Sequence, residues 1–511
     1  MKTGQYMTPK PIADLMLDTI SYQGNRILSQ KILEPSFGSG VFLVKIAERL
    51  YETAKALGRS NETIARILHN NIYGFEIDEH LYQRAISRLN NFCSSRNIPV
   101  YNWNNLLHTD AFDAYERYIG KMDYIIGNPP FIRIHDMDEK AKEQAKRFDF
   151  SKGSTDTYIM FYEIGLKMLN EEGRLCYITP NALLKVVSAQ KFRDYIINNK
   201  LLSYIYDFKD NKLFEGAETY NCIMCLDKST DNNNRIAVRL YKGDKYDSFD
   251  IPCYYFDSVF LGRTWSLCPQ EDLEFLKASE RFPQKLKDIC TIQNACVTQK
   301  NDVFICNIFI DKDCTLPYTE ACSDADKIVY IQREGKVYPI ENKAIRRAVK
   351  ASKFDGILRN TYVVFPYQEN DTCGYIPMKE DSFKSTYPMA YNYLYLFKED
   401  LLKRDKDDNA EWFHFGRGQG LSNSNREKAV FSHIINTQND ALSVHILDKD
   451  VVVYSGLYTI ADKPVSMSSV RDVLSSKELM RYLKLTGKQM SGGYVSVSAK
   501  ILQNFGCKTI Q

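Results

Sequence analysis

Over the first half of the chain, short apolar runs alternate with stripes of apolar residues at helical spacing. Ile12, Leu15, Met16 and Ile20 form the first stripe, and Thr8-Pro9-Lys10-Pro11 before it predicts Thr8 as N-cap and Pro9 as the first helical residue. Ile32-Leu33 reads as a strand, followed by a helix carrying Val41, Phe42, Leu43, Ile46, Ala47 and Leu50. Ile72 to Asp78 is the next strand, His80 to Phe92 the next helix, and Leu107-His108 a short segment before Asp110. Met122 to Ile126 is apolar enough for a buried strand. Arg133 to Phe150 is charged and irregular and reads as a mobile or surface segment, either able to close on a ligand or a solvated helix. Gly153-Ser154-Thr155-Asp156 is expected to cap a helix bearing Tyr158, Ile159, Phe161, Tyr162, Ile164, Leu166 and Leu169, with Gly173 as its stop. Arg174 to Thr179 and Leu201 to Phe208 are strands, Phe214 to Leu226 a loop and strand, and Arg235 to Tyr246 a further strand. Alternation of this kind is that of an α/β domain.

The pattern then changes. Asp231-Asn232-Asn233-Asn234 is a polar turn that can end the first domain, and Asp257 to Leu286 reads as a helical connection. From Ile289 onward the apolar segments are short and the turns many, with Ile328 to Ile331 and Tyr362 to Phe365 as strand candidates. The expected layout is an α/β domain over 1–260 and a mixed α+β domain over 261–511.

Composition narrows the class. The chain of 511 residues is 44% hydrophobic and 26% charged, as in a globular protein of more than one domain. A formal net charge of +3 permits nucleic-acid binding but argues little for it, since a local basic surface matters more than the total. The N-terminal segment carries prolines and Asp14 where a signal peptide needs an apolar run, and no uncharged stretch of about 18 apolar residues exists. A cytoplasmic protein with reduced thiols and no membrane partner is expected. Cys222 and Cys225 have C-x-x-C spacing, but they lie inside a strand pattern with no second pair and read as core cysteines. His69, His80, His108 and His135 form no metal-binding pattern, so no metal is expected.

The candidate chemistry gathers at strand ends. Gly127 breaks the Met122 run, and Asn128-Pro129-Pro130-Phe131 follows. Neither proline has an N–H for a sheet ladder, so the chain must leave the sheet at Asn128. Open α/β sheets hold ligands at the carboxyl ends of their strands. An amide, a stiff carbonyl-bearing turn and an aromatic ring are thus fixed together where a reaction can occur. Glu34-Pro35-Ser36-Phe37-Gly38-Ser39-Gly40 is a tight glycine turn between strand and helix. It is neither the dinucleotide fingerprint nor a P-loop, and alone it fits a ligand site or helix-strand packing. Glu76, at a strand end, can accept from two ribose hydroxyls or cap a helix. Asp110 can accept from the exocyclic amine of an adenine, with Phe112 near that ring. Glu34, Glu76, Asp110 and the glycine turn, all preceding Asn128, read as one cofactor site.

The order of these pieces resembles the class I S-adenosylmethionine-dependent DNA N6-adenine methyltransferases, over roughly residues 6–228, and within them the gamma group of restriction-modification methylases. Tyr6 to Met16, including Thr8, is similar to the segment that closes the methionine pocket. Leu33 to Phe42 is similar to the first cofactor loop, which implies contacts from Glu34, Ser36, Gly38 and Gly40. Phe75-Glu76-Ile77-Asp78 resembles the ribose-binding acid motif and Asp110-Ala111-Phe112 the adenine-edge motif, implying cofactor contacts from Glu76, Ile77, Asp110 and Ala111. Asn128-Pro129-Pro130-Phe131 resembles the catalytic Asn-Pro-Pro-aromatic sequence, with Asn128 also beside the cofactor and Phe131 replacing the commoner tyrosine. Phe214 stands where the family has a second aromatic against the target base. The resemblance implies a Rossmann-like methyltransferase domain with a mainly parallel sheet, and S-adenosyl-L-methionine as cofactor.

A weaker resemblance over Trp412 to Leu421, Val453 to Gly456 and Gly487 to Lys500 makes the second half a DNA target-recognition domain. Ile345 to Lys350 is basic, and Phe413 to Asn425 mixes glycines, amides and Arg417, the residue types that read base edges. The implied partners are double-stranded DNA, lying between the two domains, and a separate cognate restriction endonuclease. The cofactor motifs begin at about residue 6, so no fused upstream nuclease is expected. The implied chemistry is direct methyl transfer to an adenine flipped out of the duplex, with Asn128 and the Pro129 carbonyl accepting the amine hydrogens and Phe131 stacking on the base. It needs neither a metal nor a covalent nucleophile. Rival acceptors are an RNA adenine, a cytosine N4 amine or a protein glutamine. A further rival is a non-catalytic DNA-binding specificity subunit, against which stand Glu34, Glu76, Asp110 and Asn128.

Overall fold

Nine strands of the first half join in one sheet: Ile32–Glu34 (β1), Ile72–Glu76 (β2), Leu106–His108 (β3), Met122–Gly127 (β4), Leu169–Pro180 (β5), Leu202–Asp207 (β6), Asn221–Asp227 (β7), Arg235–Lys242 (β8) and Lys245–Pro252 (β9). Their spatial order is β3-β2-β1-β4-β5-β7-β6-β8-β9. The five strands from β3 to β5 are parallel, β7 runs antiparallel to β5 and β6, β8 is parallel to β6, and β9 is antiparallel to β8. The chain winds outward from β1 to β3 and then crosses back to β4, so the order reverses between β1 and β4. Such a reversal opens a crevice at the carboxyl ends of the two strands. The structure, a computed structural model, describes residues 7–507 except 133–135, 137–138, 152–155, 210, 212, 214–219, 230–234, 243–244, 254–255, 257–263, 310–327, 334, 371–373, 463 and 491. Phe214, Tyr6, the 153–155 part of the expected helix cap and the 231–234 turn lie outside the described residues.

The helices of this half are Lys10–Thr19 (α1), Val41–Ala56 (α2), Asn61–Asn71 (α3), Glu79–Ser94 (α4), Ala111–Ala114 (α5), Glu139–Ala145 (α6), Thr157–Met168 (α7) and Gln190–Asn198 (α8). Met16 and Leu17 of α1, Phe42, Ile46 and Leu50 of α2, Leu68 of α3 and Leu89 of α4 share one buried cluster with Ile32, Ile126, Ile178 and Ile223 of the sheet. The apolar stripes read from the sequence are thus the faces laid on the sheet.

Several boundaries differ from expectation. Pro9, not Thr8, is the N-cap of α1; its carbonyl takes the Ile12 and Ala13 N–H groups, and Pro11 lies within the first turn, where a missing N–H is harmless. The helix expected to run to Gly173 ends at Met168, because Leu169 already pairs with Met122 in β5. Gly173 serves close packing instead, since a Cβ there would meet the Met122 carbonyl at 3.0 Å. Arg235 to Tyr246 is not one strand but β8 and the start of β9, antiparallel with Lys242 opposite Lys245.

The chain divides into two compact units, Met1–Leu273 and Glu274–Gln511. The second contains a four-stranded antiparallel sheet, a six-stranded sheet, a three-stranded sheet and short helices such as Pro388–Tyr395 and Lys477–Thr486. Its main core packs Phe304, Ile331, Ile345, Val363, Phe383, Leu394, Phe413 and Phe415 together.

Candidate active site

The glycine turn leaves β1 at Glu34 and enters α2 at Gly40. Gly40 is the N-cap of α2 in the left-handed region at φ +79, and its N–H returns to the Phe37 carbonyl at 2.8 Å. A Cβ on Gly40 would fall 2.9 Å from the Ala85 Cβ of α4, so packing also excludes a side chain. Gly38 is likewise at positive φ, but a Cβ there would meet nothing within 4 Å, so the turn faces open space at this point. The Gly38 N–H donates to Glu76 Oε2 at 2.7 Å, and the Asp78 N–H donates to Glu76 Oε1 at 2.9 Å. One buried carboxylate therefore joins the glycine turn to the end of β2. Arg88 of α4 adds a brace, donating to the Ser39 carbonyl and hydroxyl at 2.9 and 3.2 Å. Asp78 caps α4 by accepting from the Leu81 N–H at 3.1 Å.

Electrostatically the ends of β1 and β2 hold two buried acids on neighbouring strands. Burial pushes the Glu34 carboxyl well above the usual carboxylate range, and nearby Glu76 adds to the shift. Burial also raises Glu76, opposed by the two backbone donations. Glu34 is 2% exposed, and its Oε2 has no hydrogen-bond partner. Gly127, the last residue of β4, lies beside it: a Cβ there would sit in ordinary contact, 3.5 Å from Glu34 Cγ. A buried carboxylate oxygen without a donor is a place for a ligand's donor or cation. Thr8 is buried ahead of α1, Ser36 is half-buried in the turn, and Ile77 stands out of the fold at 63% exposure.

Asp110 follows β3 and caps the short helix α5, accepting from the Phe112 N–H at 2.9 Å; Ala111 is buried beside it. The Phe112 ring lies 5.3 Å from Phe148 and 4.9 Å from Phe161. Phe148 belongs to the charged segment that the sequence suggested was superficial. Glu139, Glu143, Lys146 and Arg147 are exposed as that reading has it, but the end of the segment is anchored: Phe148 and Phe150 are buried, Phe150 packs on Phe192 and Tyr195, and the Phe150 N–H donates to the buried Glu163 at 2.9 Å.

β4 ends at Gly127, as its two following prolines require, and places Asn128 half-buried at the sheet edge with Pro129 buried behind it. Thr157, the first residue of α7, fastens the turn. Its hydroxyl donates to the Pro130 carbonyl at 2.5 Å and accepts from the Ile132 N–H at 3.0 Å, while its own N–H donates to the Ile132 carbonyl at 2.9 Å. Phe131 lies between these bonds, half-buried, edge-on to Tyr158 at 6.3 Å. Strands β3, β2, β1 and β4 are consecutive in the sheet, so Asp110, Glu76, Glu34 and Asn128 share one edge. Thr157, Arg88 and Phe148 were not singled out in the sequence. A Thr directly after an Asp at a helix start was the only local sign of the first.

The second unit holds the other named candidate. Arg417 is committed to two carboxylates, Asp405 at 2.6 Å and Asp407 at 3.1 Å, and reading a base edge would first break these pairs. The segment around it is a run of turns whose first part is packed into the core: Trp412, Phe413, His414 and Phe415 are buried, and Phe413 stacks on Phe383. In Ile345–Lys350, a strand, Ala348 and Val349 are buried while Arg347 is exposed and donates to the Tyr362 hydroxyl. Cys222 and Cys225 are buried in β7, three residues apart and so on opposite faces of the sheet, which prevents a shared ligand. Among the described residues no group of three or more His, Cys, Asp or Glu could hold a metal ion, and no helix is long and apolar enough to cross a membrane.

Residues 70–214 match the family model described as Eco57I restriction-modification methylase. The chain is similar to the Type II restriction enzyme and methyltransferase RM.Eco57I of Escherichia coli, 24% identical over 422 residues that cover 76% of this chain and 40% of that protein. It is also similar to the Type II methyltransferase M.BstVI of Geobacillus stearothermophilus, 29% identical over 366 residues covering 64% of this chain and 65% of that one. The solved structure of the Type IIL restriction-modification enzyme MmeI in complex with DNA shares the fold, with a TM-score of 0.60 at 13% identity, covering 97% of this chain and 64% of that one. The chain spans less than two-thirds of the length of each of these three proteins.

Proposed function

We propose that this relative of the restriction-modification methylases is a site-specific DNA adenine-N6 methyltransferase that uses S-adenosyl-L-methionine. The observation that carries the reading is the placement of Asn128 and its stapled turn beside the Glu34 and Glu76 carboxylates, on one edge of the sheet.

The residues fit the cofactor. Glu34 offers a buried acceptor without a donor, Gly38 leaves open space in the turn, and Glu76 closes the far side at the end of β2. Glu34, Ser36, Gly38 and Gly40 would hold the methionine part together with Thr8. Glu76, Ile77, Asp110 and Ala111 would hold the nucleoside. When bound, the cofactor supplies an electrophilic methyl carbon on its sulfonium.

An adenine amine is a poor nucleophile because its lone pair is delocalised into the ring. In this reading the Asn128 side-chain oxygen and the Pro129 carbonyl accept its two hydrogens and draw the nitrogen toward tetrahedral geometry. Acceptors fixed beforehand lower the barrier without reorganising during the reaction. The base must leave the duplex to reach them. Phe131 stacks on it, and one such contact contributes about 1–3 kcal/mol, partly offsetting the lost base stacking. Phe214 is the candidate for the opposite face. The second unit would select the target in double-stranded DNA, and the protein would act in the cytoplasm as the modification enzyme beside a separate endonuclease.

The test is single-molecule sequencing of the genome of an expression host that lacks adenine methylases. N6-methyladenine confined to one short motif, lost with Asn128→Ala while cofactor binding persists, supports the reading. An unmodified genome in the presence of soluble, cofactor-binding protein overturns it in favour of an RNA acceptor or a non-catalytic subunit. N4-methylcytosine in its place would move the acceptor to cytosine.

A further inference from the structure

One buried amide near the proposed reaction edge has no role in the scheme above. Asn221 opens β7, is 0% exposed, and has no hydrogen-bond partner on either Oδ1 or Nδ2. Its backbone is engaged, opposite Pro180 of β5 and with its carbonyl accepting the Phe208 N–H at 3.1 Å. A buried side chain that leaves a donor and an acceptor unmatched is costly, and in a native fold it calls for a partner.

The direction of the side chain follows from the strand. Asn221 shares its sheet face with Ile223 and Cys225, members of the core cluster against which Phe131 and Leu213 pack. Its neighbour Cys222 faces the other way, toward Tyr158 and Tyr162. β7 is antiparallel to β5, so its first residue stands at the same end of the sheet as Asn128, with only β5 between β4 and β7. An unmatched amide is thus placed at the end of the sheet where Phe131 packs both on the Ile223 cluster and on Tyr158, and where the target base would enter.

We propose that Asn221 is a specificity-determining residue for the extruded adenine, its amide nitrogen donating to one of the two ring nitrogens that flank the reacting amine, N1 or N7. This rests on the methylase reading above. With both amine hydrogens taken by Asn128 and Pro129, the adenine has only acceptors left on its ring, and the amide donor complements them. The contact turns the base so that its amine meets the acceptors.

The experiment uses duplexes that carry the mapped motif with adenine, 1-deazaadenine or 7-deazaadenine at the target. Wild-type protein is compared with Asn221→Leu, which keeps the branched shape and removes the amide. The expected result is a loss on the order of tenfold in kcat/KM for the wild type with one analogue. Asn221→Leu should lose as much with adenine and nothing further with that analogue, while binding S-adenosylmethionine as before. Equal rates of the wild type on adenine and both analogues overturn the proposal even if the variant fails to fold. So does an unimpaired Asn221→Leu. Absence of transfer to the adenine duplex by the wild type overturns the methylase reading itself, and this inference with it.

Discussion

The Thr157 hydroxyl donates to the Pro130 carbonyl at 2.5 Å and takes the Ile132 N–H at 3.0 Å, so the first residue of α7 locks the peptides on both sides of Phe131. The helix behind it is buried along most of its length, from Thr157 to Met168. A turn that two prolines already stiffen is thereby tied to an element that cannot shift without disturbing the core.

Thr157→Val keeps the shape and removes both bonds. Leaving the Pro130 carbonyl and the Ile132 N–H unmatched should cost about 1–3 kcal/mol in denaturant unfolding. A loosened turn should lower kcat by about tenfold to a hundredfold, with cofactor affinity unchanged. Thr157→Ser, which retains the hydroxyl, should restore most of the rate. Wild-type kcat in the valine variant would mean that the prolines alone hold the turn.

Gly40→Ala tests the other end of the pocket. The left-handed conformation should cost about 1–2 kcal/mol for any side chain, and the clash with Ala85 on α4 adds to it. Gly58→Ala is the matched control, at φ +68 with nothing within 4 Å of a Cβ. Urea titration should show Gly40→Ala to be the more destabilised of the two, and it alone should weaken cofactor binding. Equal losses would assign the whole effect to backbone conformation.

How far the sequence discloses this arrangement depends on whether a contact is local. β4 and its exit at Asn128 are readable because an apolar run meets two residues that lack an N–H. The glycine turn is readable because strand, glycines and helix follow one another directly. The end of α7 is not: Leu169, already paired with Met122 in β5, continues the apolar run of the helix, and the polar residues Asn170, Glu171 and Glu172 come only after the change and lie inside the strand. The Thr157 staple joins residues far apart in sequence, which no local pattern carries. Phe413 to Asn425 looks like a recognition loop because it is rich in glycine and amides. Yet Gly416 and Gly420 permit close approach to Gln299 and to the Asn294 carbonyl inside the unit.

Arg417 follows from that last point. Its guanidinium is held by Asp405 and Asp407, and the Asp407 carboxylate also takes the Gly418 N–H at 3.1 Å. Arg417→Gln should lower the melting temperature and leave the methylated motif unchanged in genome sequencing. A changed or relaxed motif in the variant would show that the arginine leaves its carboxylates to read DNA.

Glu34 gives a pH signature. Its carboxyl in the folded chain is held well above the ordinary value, first by burial and then by Glu76. The unfolded chain has the ordinary value near about 4.3. Folding therefore takes up a proton at this site once the pH passes that range. The stability linked to Glu34 is fully present below the unfolded value and is lost as the pH rises through the folded one. Glu34→Gln removes the titration. Without cofactor, the variant should differ little from the wild type near about pH 5 and become progressively the more stable toward about pH 8. Glu76, which is also raised, titrates in both proteins, and because the two carboxylates repel each other the difference reports the pair. Cofactor affinity should change in the opposite sense, because the glutamine offers no charge to the methionine ammonium. Thermal melts across this range, with isothermal titration of the cofactor, measure both. Parallel melting curves for the two proteins would show that Glu34 titrates alike in the folded and unfolded chains.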